Sequence, residues 1–292
     1  MRVLLTGATG YIGVAVLDRL VSTGHQVTAV VRSADKAEAV RAGGAEPALG
    51  DLSDGDALQE LAKASDGVIH VASPGDETSA TVDEIAVTAV LRGLRNTNRP
   101  FVHTAGVWVH GSSSQITEST PMNAPRLAAW RVPLAHLVRE AIGVRTSVIS
   151  PALVHGHGGG LLNLVAAGPR TAGGSPALTM IGPGDQHWTT VHVDDLAELY
   201  VLALEKAPAG SYLIGAGGVN PTVREITEAV SRSVGLSGKV EPEPVVQTLG
   251  RLGLLGEALL LDQQASGATA RRVLGWSPQR PSILEDIART TF

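Results

Sequence analysis

The chain has 292 residues, enough to bury a large core as one long domain or as a large domain with a smaller partner. Its hydrophobic fraction of 43% suits a globular protein, no apolar run reaches the roughly 18 residues that span a bilayer, and zero cysteines exclude disulfides, thiolate catalysis and Cys-ligated metals. A net charge of −5, with scattered arginines and only Lys36, Lys63, Lys206 and Lys239 as lysines, argues against a nucleic-acid surface. The N-terminus enters a strand at once, so no signal peptide is expected, and the absence of cysteine fits a cytoplasmic setting.

The first predicted strand, 2–6, ends in Thr6-Gly7-Ala8-Thr9-Gly10-Tyr11-Ile12-Gly13, and an amphipathic helix over 11–22 follows. A dinucleotide diphosphate site needs that order: Gly7 for a sharp turn, Gly10 for close approach of backbone N–H groups, and Gly13 for close helix packing. Strands at 26–31, 67–71, 100–104 and 145–149 alternate with helices at 34–42, 55–64, 79–97 and 125–141. The alternation predicts an α/β fold, a Rossmann-type doubly wound parallel sheet covered on both faces, with ligands at the strand C-termini. After Pro151 the glycines crowd together, and these loops predict a smaller substrate-binding lobe. Periodicity returns as a strand at 189–193, a helix at 194–205, a strand at 211–214 and a helix at 222–234. The predicted division assigns 1–154 and 186–218 to the dinucleotide domain, and 155–185 and 219–292 to the lobe.

Over nearly its whole length the chain resembles the extended short-chain dehydrogenase/reductases, the NAD(P)-dependent epimerase/dehydratase family. The glycine motif, Gly50-Asp51-Leu52, His70-Val71-Ala72-Ser73, Pro151-Ala152-Leu153-Val154-His155-Gly156, Val191-His192-Val193-Asp194-Asp195 and the late Leu274-Gly275-Trp276-Ser277-Pro278 carry the likeness. It implies cofactor contacts from Gly7, Thr9, Gly10, Tyr11, Ile12, Gly13, Asp51, Leu52, Val71, Ala72, Ser73, Pro151 and Leu153. Asp51 would face adenine or, alternatively, shape the turn before a helix that Ser53 or Asp54 caps. At the end of the second strand stands Arg32, where NAD-selective proteins place an acid, so NADP(H) is the expected cofactor, with Ser33 and Lys36 as candidate helpers.

The resemblance also implies a tyrosine acid with a lysine four residues on. No Tyr-x-x-x-Lys occurs here: Ala15, Leu204 and Ala216 follow the three tyrosines at that spacing. By register Trp130 replaces the tyrosine, Leu134 the lysine, and Gly106 the usual serine or threonine. An indole cannot release a proton near neutral pH. Three routes remain: an already cationic or activated acceptor, a substitute donor among Thr104, Arg131, His155 and His187, or no redox turnover.

The candidate catalytic residues are therefore Thr104, Trp130 and Arg131, each with a plainer alternative: Thr104 bonding to backbone, Trp130 as a packing wall, and Arg131 facing solvent. Pro133 leaves open whether its helix starts late or kinks. Asp194 reads as the N-cap of its helix, and Trp108 and Trp188 as pocket or core. His155 and His157 lack a companion acid in their own loop, so no metal is expected. The reading is an atypical NADP(H)-dependent oxidoreductase acting on a small organic molecule with a C=N, C=C or C=O group. The alternatives are an NADP(H)-binding sensor or interaction protein, or a non-redox lyase, isomerase or cyclase. No nucleic acid or membrane partner is expected, and helices 79–97 and 125–141 resemble a homodimer-forming pair.

Overall fold

The computed structural model describes residues 1–290; the last two residues of the predicted lobe lie outside that range. In chain order the elements are β1 (Arg2–Thr6), α1 (Tyr11–Ser22), β2 (Gln26–Val31), α2 (Ala34–Ala42), β3 (Glu46–Leu49), α3 (Gly55–Ala64), β4 (Gly67–His70), α4 (Ser79–Gly93), β5 (Pro100–Thr104) and β6 (Ser113–Ile116). They continue with α5 (Arg131–Arg139), β7 (Arg145–Pro151), β8 (Leu153–His155), α6 (Leu162–Ala166), β9 (Leu178–Thr179), β10 (Thr190–His192), α7 (Val193–Lys206) and β11 (Ser211–Gly215). The last are α8 (Val223–Ser233), β12 (Val240–Glu241), α9 (Val245–Leu259), β13 (Gln263–Ala265), α10 (Ala268–Leu274) and α11 (Ile283–Ile287).

Seven parallel strands form the main sheet in the order β11-β7-β5-β4-β1-β2-β3. The chain steps outward from β1 to β3, then crosses back to β4, so the strand order reverses between β1 and β4. In a doubly wound sheet that reversal opens the ligand crevice at the strand C-termini. Val3, Leu4 and Leu5 are all buried, as expected of a strand covered on both faces.

Among the described residues two apolar clusters form the core. One joins the sheet to its flanking helices; the other gathers Leu153, Leu162, Val165, Trp188, Ile226, Leu259 and Ile287 in the lobe. Ala265, Ala270, Leu274 and Trp276, which lie within 219–292, pack into the first cluster, and β13 pairs with β6 outside the main sheet.

Local chemistry explains the helix ends. Asp54 caps α3 through the Ala57 N–H, and Thr222 with Glu225 closes a capping box on α8. The helix predicted over 125–141 covers only Arg131–Arg139: Pro133 stands in its first turn, where a missing N–H costs nothing, and the helix starts late. α7 corrects another expectation, because His192 rather than Asp194 is its N-cap, its Nδ1 accepting the Asp194 N–H at 3.2 Å.

Candidate active site

The diphosphate end of the crevice is made of backbone. Gly7 has φ +81°, and a Cβ there would stand 2.7 Å from the Ala72 nitrogen, so the turn after β1 lies directly against the end of β4. A Cβ on Gly13 would fall 1.8 Å from the Gly7 carbonyl oxygen, which only glycine permits. Gly10 is the N-cap of α1 and offers no side chain to its first N–H groups. Those unpaired donors and the helix dipole make an anion cradle, into which a nucleotide diphosphate fits. Thr9 and Ile12 are half-buried beside it, with Ile12 packed on the sheet core. The Tyr11 hydroxyl donates to the Gly156 carbonyl at 2.8 Å, and its ring lies against Gly159 and Gly160, tying the glycine loop to the segment after β8.

At the adenosine end Arg32 is exposed just beyond β2, with the carboxylates of Asp51 and Asp76 in its field. Asp51 Oδ1 accepts from both the N–H and the hydroxyl of Ser53, at 2.9 and 2.6 Å, and these bonds hold its pKa below the usual range. It therefore shapes the turn before α3, and Oδ2 carries no hydrogen bond among the described residues. Ser33 caps α2 by accepting the Lys36 N–H at 3.4 Å, which engages it locally. Leu52 and Val71 pack on the core, Ala72 meets Gly7, and Ser73 is exposed. Pro151 is buried at the end of β7. Leu153 is engaged within the protein. Its side chain sits in the lobe core, and its N–H donates to the Thr189 carbonyl at 3.0 Å.

The reaction end is made of side chains. Thr104 donates its hydroxyl to the His70 carbonyl at 2.7 Å and accepts from the Tyr200 hydroxyl at 2.8 Å, so it has the backbone-bonded arrangement. Arg131, in the first turn of α5, does not face solvent. Its guanidinium stacks 4.2 Å from the Trp130 ring centroid and donates to the Thr104 carbonyl at 3.3 Å. Burial lowers its pKa while the charges of Asp83 and Tyr200 oppose that shift. Trp130 is thus a platform under a cation. Leu134 is buried in the first apolar turn-and-a-half of α5, and the positive charge enters three residues before that position, on Arg131.

All three phenols are engaged elsewhere. Tyr11 binds Gly156, Tyr200 is fully buried behind Thr104, and Tyr212 is buried with its hydroxyl 3.0 Å from His110 Nε2. Burial raises the pKa of each, Tyr212 to about 12.

Beneath Arg131 lies a charged cluster that the sequence reading missed. The β4–β5 register sets His70 beside His103, and their rings stack at 5.7 Å. His70 Nε2 donates to Asp83 Oδ1 at 2.6 Å, and its Nδ1 is 2.6 Å from Thr6 Oγ1. His103 Nε2 is 3.9 Å from Asp83 Oδ2. Burial alone would raise the Asp83 pKa, but the His70 hydrogen bond and the charges of His70, His103 and Arg131 hold it below the usual carboxylate range. Burial pushes His103 down to about 3. Histidines ending two neighbouring predicted strands were the available signal; Asp83 on α4 gave none.

Trp188 is core, its indole donating to the Leu259 carbonyl at 2.9 Å, whereas Trp108 is half-buried between the two clusters. His187 Nδ1 is 2.9 Å from Asp262 Oδ1, and His155 is buried with Nδ1 3.2 Å from Asp286 Oδ2. His157 meets Asp194, so both histidines of that loop find acids supplied from distant segments. No helix among the described residues is long and apolar enough to cross a membrane.

Comparison with known proteins matches residues 3–215 to the model of the NAD dependent epimerase/dehydratase family. An uncharacterized protein of Schizosaccharomyces pombe is 31% identical, covering 100% of both chains. A UDP-glucose 4-epimerase of Mycolicibacterium smegmatis is 30% identical over 99% of this chain and 97% of its own. A 4-hydroxy-2-methyl-3-oxo-4-farnesyl-3,4-dihydroquinoline-1-oxide ketoreductase of Stigmatella aurantiaca is 28% identical over 99% and 90%. Among solved structures, a dTDP-glucose 4,6-dehydratase of Streptomyces venezuelae with NAD bound superimposes with a TM-score of 0.78 at 21% identity, covering 100% of this chain and 96% of that one.

Proposed function

Since this chain belongs to the NAD dependent epimerase/dehydratase family, we propose that it is an atypical NADP(H)-dependent oxidoreductase acting on a small organic molecule without a tyrosine acid. The observation that carries this reading is that all three phenols are hydrogen-bonded to other groups of the protein while Arg131 brings a cation to the end of β5. When bound, NADPH supplies a hydride for an electron-poor carbon of the substrate. The N–H groups at the start of α1 hold the diphosphate, and Gly7, Gly10 and Gly13 let them approach it. Arg131, steadied by Trp130 and the Thr104 carbonyl and balanced by the charge of Asp83, orients a polar group of the substrate at the end of β5. Water delivers the proton, because the three phenols are engaged within the protein.

A positioned general acid contributes about 10²- to 10⁴-fold, so acceptors that need no concerted proton are favoured: an iminium, or a conjugated C=C, ahead of a simple ketone. Arg32 favours the 2′-phosphate, because a charge-assisted contact of about 1.5–3 kcal/mol gives a preference of roughly tenfold to a hundredfold. Titrating the protein with each nucleotide tests this. NADPH binds more tightly than NADH, and Arg32→Glu abolishes the difference; equal affinities in the unaltered protein reject the NADP(H) assignment. A soluble setting in the cytoplasm and a homodimer through α4 and α5, where Leu137 and Ile142 are exposed, complete the proposal, and sedimentation reports the assembly.

The UDP-glucose 4-epimerase relatives favour a second reading, an isomerase whose turnover leaves the cofactor oxidation state unchanged. Product formation with constant NADPH absorbance distinguishes it.

A further inference from the structure

The buried cluster under Arg131 carries a charge that folding alone does not call for. Asp83, on α4, is 1% exposed; its Oδ1 accepts from His70 Nε2 at 2.6 Å, whereas Oδ2 has no hydrogen-bond partner among the described residues. His103 Nε2, 3.9 Å from Oδ2, is beyond hydrogen-bond reach. A carboxylate oxygen buried without a partner lowers stability, so a group kept for stability would have both oxygens paired or no charge. His70 spends its two ring nitrogens on Asp83 and Thr6 Oγ1, bonds that one ring proton and the Thr6 hydroxyl satisfy.

The cation that answers Asp83 is Arg131. His103 and Thr104 are consecutive at the end of β5: the first lies beside Asp83, and the second gives its carbonyl to Arg131 Nη1 at 3.3 Å. The carboxylate and the guanidinium therefore act on each other through space, without a shared hydrogen bond, in surroundings where opposite charges are felt over several ångströms. We propose that Asp83 is the specificity-determining counter-charge of Arg131, balancing the β5 end of the crevice so that it admits a substrate whose acceptor group is a cation and turns away a carboxylate.

An arginine standing alone is a receptor for carboxylates, through its paired N–H donors, and repels a cation. The field of Asp83 opposes both effects. The other groups around the strand end do not upset this balance: Thr6 and Thr104 carry no charge, and burial holds the Tyr200 phenol protonated. Trp130 is already covered by the Arg131 guanidinium at 4.2 Å, so its ring face is not a second cation site. The inference rests on the hydride-transfer reading and names its substrate class, an iminium. Hydride addition there forms a C–H bond and moves the C=N pair onto nitrogen, with oxidation of NADPH to NADP⁺ and no proton required.

Calorimetric titration of the full chain with benzamidinium and benzoate, planar ions of matched shape and opposite charge, tests the balance. The unaltered protein is expected to bind benzamidinium at least about tenfold more tightly. Asp83→Asn, which keeps an oxygen for His70, shifts the preference at least about tenfold toward benzoate, whereas a merely structural Asp83 would weaken both ions alike. Arg131→Ala, at a half-buried position, shifts it at least about tenfold the other way through loss of benzoate, and decides the matter if the Asp83 variant does not fold. Tighter binding of benzoate by the unaltered protein, no benzamidinium binding in the millimolar range, or an unshifted preference in either folded variant overturns the proposal. If the two ions behave as expected while an iminium leaves NADPH unoxidised, the charge balance stands and the hydride-transfer reading alone is rejected.

Discussion

The two ends of the crevice are built from different materials. At the diphosphate end the contacts are backbone groups from one continuous stretch, Gly7 to Gly13, held by close packing that admits no Cβ. At the reaction end the groups are side chains from β4, α4, β5, α5 and α7, joined by hydrogen bonds and opposed charges. A backbone cradle depends on a few glycines and tolerates little change. A side-chain cluster can be rewired one residue at a time, as an arginine on a tryptophan platform in a crevice with no free phenol illustrates.

The largest effect expected from breaking this contrast is at the backbone end. Gly13→Ala places a methyl 1.8 Å from the Gly7 carbonyl, so the start of α1 must move. Calorimetric nucleotide affinity should fall at least about a hundredfold, since overpacking a tight site costs roughly 1–3 kcal/mol or more. Retained affinity would show that the cradle is looser than its packing. Next comes Arg131→Ala. Loss of a charge-assisted contact worth about 1.5–3 kcal/mol should reduce kcat/KM by roughly tenfold to a hundredfold, with nucleotide affinity nearly unchanged. An equal fall in nucleotide affinity would assign Arg131 to the diphosphate end instead.

The buried floor of the reaction end has a pH signature. His103 is held neutral down to about 3, against 6.5 for an unperturbed histidine. Between those values the unfolded chain binds a proton that the folded chain does not, so this group's contribution to stability falls as pH drops through the window. The slope is up to about 1.4 kcal/mol per pH unit. Denaturant midpoints for His103→Leu should therefore show a shallower acid limb than the unaltered protein; parallel limbs would mean that His103 is protonated in the fold. Thr104→Val should have the smallest effect on turnover, a few-fold at most, because its hydroxyl already serves the His70 carbonyl and Tyr200. A loss of about a hundredfold would restore Thr104 as a reacting group.

The same contrast governs what could be read from residues alone. The glycine loop and the strands around it are legible because each device is encoded within a few consecutive positions. β3 escaped notice: Glu46-Pro47-Ala48-Leu49 is a half-exposed edge strand with proline, lacking the apolar run that marks its neighbours. The lobe's β9 and β12 are two-residue strands, and the helix pattern of α9 is broken by Gly253. At the reaction end, counting from a motif put Leu134 in the cation's place, whereas the late start forced near Pro133 leaves Arg131 to carry it. Asp83, Asp194 and Asp286 become partners of His70, His157 and His155 only through tertiary structure, across 13, 37 and 131 residues.

The most direct test of the central claim, hydride transfer without a side-chain acid, is single-turnover oxidation of NADPH by a cyclic iminium and by the ketone of matching shape. The account predicts that the iminium is reduced faster by on the order of a hundredfold or more. A ketone reduced as fast as the iminium would contradict it.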